Sequence, residues 1–203
     1  MAHERGAVVT GVDASEPLLD VARHRVPTGD FRVADLESLP FAPNSFDSII
    51  AASSIQYAES PIEAARELAR VIGSRGRIAV GLFSTPDKVE YRVVFEAVRA
   101  SLPSSPGGGG PFAFSAPGVL EDLVESAGMT VVGAAEVDCP FTFSSMDAFW
   151  TGAISAGPVQ AALDVVDMAL LRQNLVEAAG PYQRADGTVR FEVTHRFVTA
   201  EPS

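Results

Sequence analysis

The sequence predicts an α/β fold: a mostly parallel sheet with helices on both faces, finished by an antiparallel strand. Three observations carry this. Apolar runs of strand length end in acids, as in Val8-Val9-Thr10-Gly11-Val12-Asp13. Strand and helix signals alternate up to Phe83, the rhythm of a parallel sheet built from crossover units. Near the C-terminus the pattern changes to strict alternation, with Val189, Phe191, Val193 and Phe197 on one face and Arg190, Glu192, Thr194 and Arg196 on the other. Half-solvated alternation of that kind suits an antiparallel or edge strand.

The elements follow in order. Val8–Val12 is the first strand. Ser15 can cap the next helix, with Pro17 in its first turn and Leu18, Leu19, Val21, Ala22 and Val26 at helical spacing. Phe31–Ala34 is a short strand ending at Asp35, and Phe46–Ala52 is another, centred on Ile49 and Ile50. Ser60-Pro61-Ile62-Glu63 reads as a capping box. It opens a helix with Ile62, Ala65, Leu68, Ala69 and Ile72 on one side. Arg75-Gly76 is read as a turn and Arg77–Phe83 as a strand.

Beyond Phe83 the spacing predicts a helix over 90–102, carrying Val93, Val94, Ala97 and Val98. The stretch SLPSSPGGGGPF then has no periodicity and reads as a connector or lid. Its four glycines are not a phosphate loop, because no strand leads in and no Lys-Ser/Thr follows. Ser115 is placed as the cap of a helix bearing Val119, Leu120, Leu123 and Val124, which stops at Gly128. Met129–Val137 is a strand, 144–156 and 159–179 are helical, and Asp186-Gly187 is a turn. The expected organisation is a single domain over 1–203, with 84–115 as a lid or insert and 144–181 as a helical insert before the last strand.

Composition narrows the functional classes. Of 203 residues, 47% are hydrophobic, enough for a packed core. The net charge of −11 disfavours nucleic acid and an anionic membrane surface as partners. No apolar run reaches the roughly 18 residues of a membrane helix, and no secretory leader is visible. A single cysteine, Cys139, excludes an intramolecular disulfide and a multi-cysteine metal site, and points to a reduced, cytoplasmic setting. No metal site is expected.

Asp13 closes an apolar strand and precedes a helix, the place where ligands bind in open α/β sheets. A carboxylate there can accept hydrogen bonds from two ribose hydroxyls, or cap the helix with Ser15. Asp35 ends the next strand in the same way. With Leu36 it could hold an adenine, although taken alone the solvated turn acid is the favoured reading. After the third strand, Ala51-Ala52-Ser53-Ser54-Ile55-Gln56-Tyr57 is small and then polar, which suits either a ligand lying on the backbone or an ordinary loop. His24, Tyr57 and His195 are candidate general bases. For His195, on the apolar face of the last strand, a structural role is the simpler reading. Cys139 reads as a small buried hydrophobe. Phe141, Phe143, Phe149 and Trp150 read as core, with an acceptor pocket as the alternative. No catalytic residue is assigned.

Together, VTGVDASEPLLDVAR, FRVADLESLPFAPNSFDSII and SSIQYAESPIEAARELARVIGSRGRIAV resemble the class I S-adenosylmethionine-dependent methyltransferases, in their type 11 group. The resemblance is close over about residues 7–83, and the tail GPYQRADGTVRFEVTHRFVTA also looks like the end of such enzymes. It implies a Rossmann-like three-layer sandwich with strand order 3-2-1-4-5-7-6, the seventh strand antiparallel, and S-adenosyl-L-methionine as the cofactor. It places Asp13 on the ribose with Ala14 and Ser15 flanking it, Asp35 and Leu36 on the adenine, and Ser53 near the methionine part. It implies methyl transfer to a small-molecule acceptor. Two other readings stand beside it: a non-catalytic relative acting through association, and a nicotinamide-dependent Rossmann enzyme. Measured against the family, the first strand and its glycine-rich loop are missing before residue 7, about 30 residues or more. From this follow two expectations: weak cofactor binding, and an exposed sheet edge open to a homodimer or a partner.

Overall fold

In the computed structural model, which describes residues 2–103 and 110–203, β1 (Thr10–Asp13) leads into α1 (Glu16–Arg25), and β2 (Asp30–Val33) follows. The two strands pair in parallel, from Thr10 against Asp30 to Asp13 against Val33. Pairing begins at Thr10, not at the predicted Val8, which is 97% exposed. Gly11 faces Phe31 across this ladder, and a Cβ at Gly11 would sit 2.7 Å from the Phe31 ring, so the close approach requires glycine. The α1 helix packs on both strands and buries Leu19. Ser15 is its N-cap residue, but its hydroxyl makes no capping bond; Asp13 Oδ1 accepts from the Ser15 amide at 2.8 Å instead.

The third strand, β3 (Phe46–Ala52), has the predicted bounds. It pairs in parallel with β4 (Ile72–Phe83), which α2 (Pro61–Val71) precedes. Ser60 and Pro61 open α2 as expected, yet no capping box forms. The Ser60 amide donates to Glu37 Oε1 at 2.9 Å, and Glu63 pairs with Arg66. The helix buries Ala64, Ala65, Leu68 and Val71, a stripe one residue away from part of the expected set, because Ile72 has already entered β4. The expected turn at Arg75-Gly76 is a bulge inside β4: Phe46 pairs with Ile72 and Ser48 with Arg77. Gly76 permits it, since a Cβ there would lie 2.6 Å from Ile72 Cδ1 and 3.0 Å from the Asp47 carbonyl.

The remaining elements are α3 (Arg92–Ser101), α4 (Val119–Ser126), β5 (Met129–Asp138), β6 (Phe141–Phe143), α5 (Met146–Ile154), α6 (Gly157–Leu163), α7 (Met168–Ala179), β7 (Val189–Phe191) and β8 (Thr194–Pro202). Ser115 does not cap α4. Gly118, at φ 89°, does so, while the Ser115 hydroxyl donates to the Phe112 carbonyl. The single helix expected over 159–179 is two, because Asp167 stops the chain and caps α7 through the Ala169 and Leu170 amides. In the connector 101–112, residues 104–109 lie outside the described residues.

Strand order is β1-β2 in one sheet, β3-β4-β8-β5 in a second, and β6-β7 in a third. The order β3-β4-β8-β5 is the 4-5-7-6 part of the order that the resemblance implied, so β8 lies between β4 and β5 and is not the edge strand that the alternation alone allowed. The alternation read through 189–198 belongs to two strands. Val189, Phe191 and Val193 are buried, and then the buried set shifts phase to Val198 and Ala200.

The chain divides into two compact units. The first comprises 1–81, 117–134 and 198–203, and is a Rossmann-like mixed sheet with helices α1, α2 and α4. Its core includes Leu68, Val71, Ile78, Val80, Leu120, Val124 and Val198. The second comprises 82–116 and 135–197. Its core gathers Phe149, Phe191, Leu171, Leu175 and Val94, with Phe141, Phe143 and Trp150 packed against it, so the core reading of these aromatics holds.

Candidate functional site

Because β1 and β2 are parallel, their C-terminal ends lie side by side. Asp13 is the last residue of β1, Asp35 lies just past the end of β2, and the Ala34 amide bonds to the Asp13 carbonyl at 3.2 Å. The two acids therefore share one end of the sheet, where helix N-termini and loops cluster. Each carboxylate receives one backbone donor in an Asx turn: Asp13 Oδ1 from Ser15, and Asp35 Oδ1 from Glu37 at 2.9 Å. Among the described residues the second oxygen of each has no protein donor.

Asp13 opens on a cavity of about 280 Å³ in the first unit. One wall is β1 from Thr10 to Asp13 and another is β3 at Phe46 and Ser48–Ala52. Leu36, Leu39 and Phe41 close a third side, and Leu68 and Val71 of α2 form an apolar floor. Of the sequence-predicted set, Asp13 and Leu36 line this cavity. Ala14, Ser15, Asp35 and Ser53 do not, and Ala14, Asp35 and Ser53 are exposed. Ser53 takes a left-handed backbone, φ 49°, and its amide donates to the Gly81 carbonyl at 2.7 Å. This kink turns the next residue into the cavity. Ser54 Oγ is buried there with no hydrogen-bond partner in the protein. A buried hydroxyl left unpaired is costly, so it marks a place for a polar ligand atom.

The wall at Leu39–Phe41 is stapled to α2. Arg70 donates to the carbonyls of Phe41 at 2.7 Å and Leu39 at 3.0 Å, and pairs through two nitrogens with Glu67, which accepts the Leu39 amide at 2.7 Å. The Arg70 guanidinium holds the Glu67 carboxyl below the usual carboxylate range. Sequence reasoning missed this staple, and it singled out Ser54 only as part of the stretch 51–57, beside Ser53. The spacing Glu67 to Arg70 on one helix turn was the only available signal for the first.

The candidate bases separate. Burial pushes the Tyr57 phenol above its ordinary value, the neighbouring Gln56 side chain offsetting part of that, so it stays protonated at neutral pH. His24 is exposed on α1, with Nδ1 2.7 Å from the Asp20 carbonyl. In the second unit the His195 ring lies 4.9 Å from the Phe83 ring centroid; its Nδ1 is buried without a partner and burial lowers its pKa. Cys139 is exposed, against the buried hydrophobe expected, because it follows β5 where the chain leaves the sheet.

Residues 1–80 match a family described as a methyltransferase domain. A demethylmenaquinone methyltransferase from Renibacterium salmoninarum is 33% identical over 102 residues, covering 50% of this chain and 43% of that protein. One from Thermus thermophilus is 32% identical over 143 residues, covering 62% and 65%. The chain spans about half the length of the curated relatives it matches. Among solved structures, the YcgJ protein of Bacillus subtilis superposes with a TM-score of 0.57 at 17% identity, over 97% of this chain and 83% of that one. The [4+2]-cyclase SpnF does so with 0.59 at 20% identity, over 99% and 69%. Such likenesses establish the fold; function resides in the site.

Proposed function

We propose that this chain, whose residues 1–80 match a methyltransferase domain, is a class I S-adenosylmethionine-dependent methyltransferase and transfers a methyl group from S-adenosyl-L-methionine to a small-molecule acceptor. The observation that carries this reading is the pairing of Asp13 with an unsatisfied buried hydroxyl, Ser54 Oγ, on a half-apolar cavity at the C-terminal end of parallel strands. A nucleoside needs those groups: an acid for vicinal hydroxyls, an apolar wall for the base and a further hydrogen-bonding group. The residues fit the donor. The free oxygen of Asp13 accepts from the ribose, Leu36 packs on the adenine, Asp35 reaches its edge from the rim, and Ala14 and Ser15 border the ribose. Ser53 shapes the turn that presents Ser54. When bound, S-adenosylmethionine supplies an electrophilic sulfonium methyl.

Positioning then supplies most of the catalysis, because the electrophile is already activated. Tyr57, held protonated, acts as a hydrogen-bond donor rather than a base. Burial lowers the pKa of His195, which makes its ring a weaker proton acceptor than a free imidazole. An acceptor of the quinone class is suggested by the relatives' names. The cytoplasmic setting read from the single cysteine belongs to the same proposal; among the described residues no helix is long and apolar enough to cross a membrane.

Titration calorimetry with S-adenosylhomocysteine tests the donor site. Replacing Asp13 with Asn removes a charge-assisted acceptor worth ~1.5–3 kcal/mol, a loss of roughly 10- to 150-fold in affinity. Equal affinity in the two proteins rejects the assignment.

A further inference from the structure

A single short turn carries an amide side chain whose hydrogen bonds the fold leaves unmade. The 3₁₀ turn Ile55–Tyr57 follows the Ser53 kink, and the Tyr57 amide closes it by donating to the Ser54 carbonyl at 3.0 Å. Side chains three residues apart eclipse in such a turn, so Tyr57 stands on the same side as Ser54, which lines the cavity. Ile55 has no exposure and anchors the turn, which packs on α2. Gln56 is only 8% exposed, and among the described residues neither its Oε1 nor its Nε2 has a hydrogen-bond partner. The Tyr57 phenol lies beside that amide without closing a bond to it. The Tyr57 ring is half exposed, so this place is reached from solvent, next to the donor cavity rather than inside it.

A buried amide with both ends unpaired is costly, because each polar atom gives up water and gains nothing in return. Its chemistry sets what it can bind. Oε1 accepts, Nε2 donates, and the protonated phenol donates beside them. None of these groups is charged, so a carboxylate or phosphate buried against them has no counter-charge. The ligand group that fits is neutral, and it both donates and accepts. A hydroxyl does this at one oxygen: it donates to Oε1 and accepts from Nε2 or from the phenol. An ether oxygen only accepts and leaves Oε1 unpaired. We propose that Gln56 binds the methyl acceptor through a neutral hydroxyl of a phenol or alcohol, with Tyr57 donating to the same oxygen. Gln56 is thereby a specificity determinant, since a site built to hydrogen-bond a hydroxyl rejects the analogue that lacks it. That the bound molecule is a methyl acceptor rests on the methyl-transfer reading; the hydroxyl site itself does not.

Titration followed by NMR tests this on the whole chain, with phenol, anisole and benzoate as probes, first without and then with S-adenosylhomocysteine. Expected with phenol are a shift and slower exchange of the Gln56 side-chain amide protons, and an affinity about ten-fold or more above those of anisole and benzoate. Gln56→Leu should abolish that preference, while calorimetry gives an S-adenosylhomocysteine affinity within about two-fold of the parent. The same variant should unfold at a higher urea concentration than the parent, because it removes two unpaired buried atoms. Gln56→Met, which keeps the length of the side chain, should repeat both results. Equal affinity for the three probes overturns the proposal, as does a preference that survives in Gln56→Leu. A lower urea midpoint in both variants overturns it too, because the amide is then paired within the chain. So does a loss of S-adenosylhomocysteine affinity in Gln56→Leu, which makes the amide part of the donor site. A parent chain that prefers phenol but binds no S-adenosylhomocysteine supports the hydroxyl site and rejects only the methyl-transfer reading.

Discussion

Leu68→Ala probes the cavity floor. Leu68 is 3% exposed, so nearly its whole side chain is out of water, and it lines the cavity. The substitution deletes the equivalent of three methylene groups, a transfer loss of ~2.4 kcal/mol at ~0.8 kcal/mol each. In a sealed core a further term arises from the void, and Leu→Ala losses reach ~5 kcal/mol. Here the new space joins a cavity that already exists, so the void term is small and the loss stays near 2–3 kcal/mol. Leu120, with no exposure and no part in the cavity, is the control, and Leu120→Ala should cost about 3–5 kcal/mol. Urea unfolding followed by a probe in the first unit reads both, with m unchanged. A Leu68→Ala loss equal to or above that of Leu120→Ala would refute the claim that Leu68 borders an existing space.

Four other outcomes follow from the same structure. Ser54→Ala should raise the stability of the free chain by about 1 kcal/mol, since it removes a buried unpaired hydroxyl, while weakening S-adenosylhomocysteine binding; denaturant melts and calorimetry report the two opposite signs. Phe149→Ala should cost ~3–5 kcal/mol, because the ring has no exposure and packs against Tyr91, Phe143 and Phe191 in the second unit; the midpoint of chemical unfolding measures it. Burial holds the His195 pKa below its ordinary 6.5, so the unfolded chain binds the proton more readily. The neutral ring's contribution is complete above pH 6.5 and is lost as pH falls through the lower folded value; His195→Phe should flatten that acid-side slope in stability against pH. Gly76→Ala should destabilise by about 1–3 kcal/mol, as its Cβ would meet the Asp47 carbonyl at 3.0 Å within the β4 bulge; thermal unfolding checks this.

Much of the site was legible because its signals are local. An acid closing an apolar run, as at Asp13 and Asp35, needs only the chain's own order to be placed at a strand's C-terminal end. Bringing the two acids to one edge needs only the parallel pairing that the intervening helix enforces. What escaped was the partner of each polar group. Ser60, Ser15 and Ser115 all have the composition of helix caps, yet none caps with its hydroxyl: the backbone amides of Ser60 and Ser15 bond to the distant Glu37 and the nearby Asp13, and the hydroxyl of Ser115 bonds to Phe112. Arg70 reaches the carbonyls of Leu39 and Phe41 across about thirty residues of sequence, which no spacing rule anticipates.

By itself the sequence determined the α/β class, the order of its strands and helices, and which acids stand at strand ends, since periodicity and strand-terminal acids are written in consecutive residues. The tertiary structure alone decided that the alternation over 189–198 splits between two strands, that the Arg75-Gly76 turn is a bulge inside β4, and that Ser54 lines the cavity beside Asp13. Those outcomes depend on which backbone meets which across the fold. A strand's apolar pattern states that it is buried, and it carries no record of its neighbour.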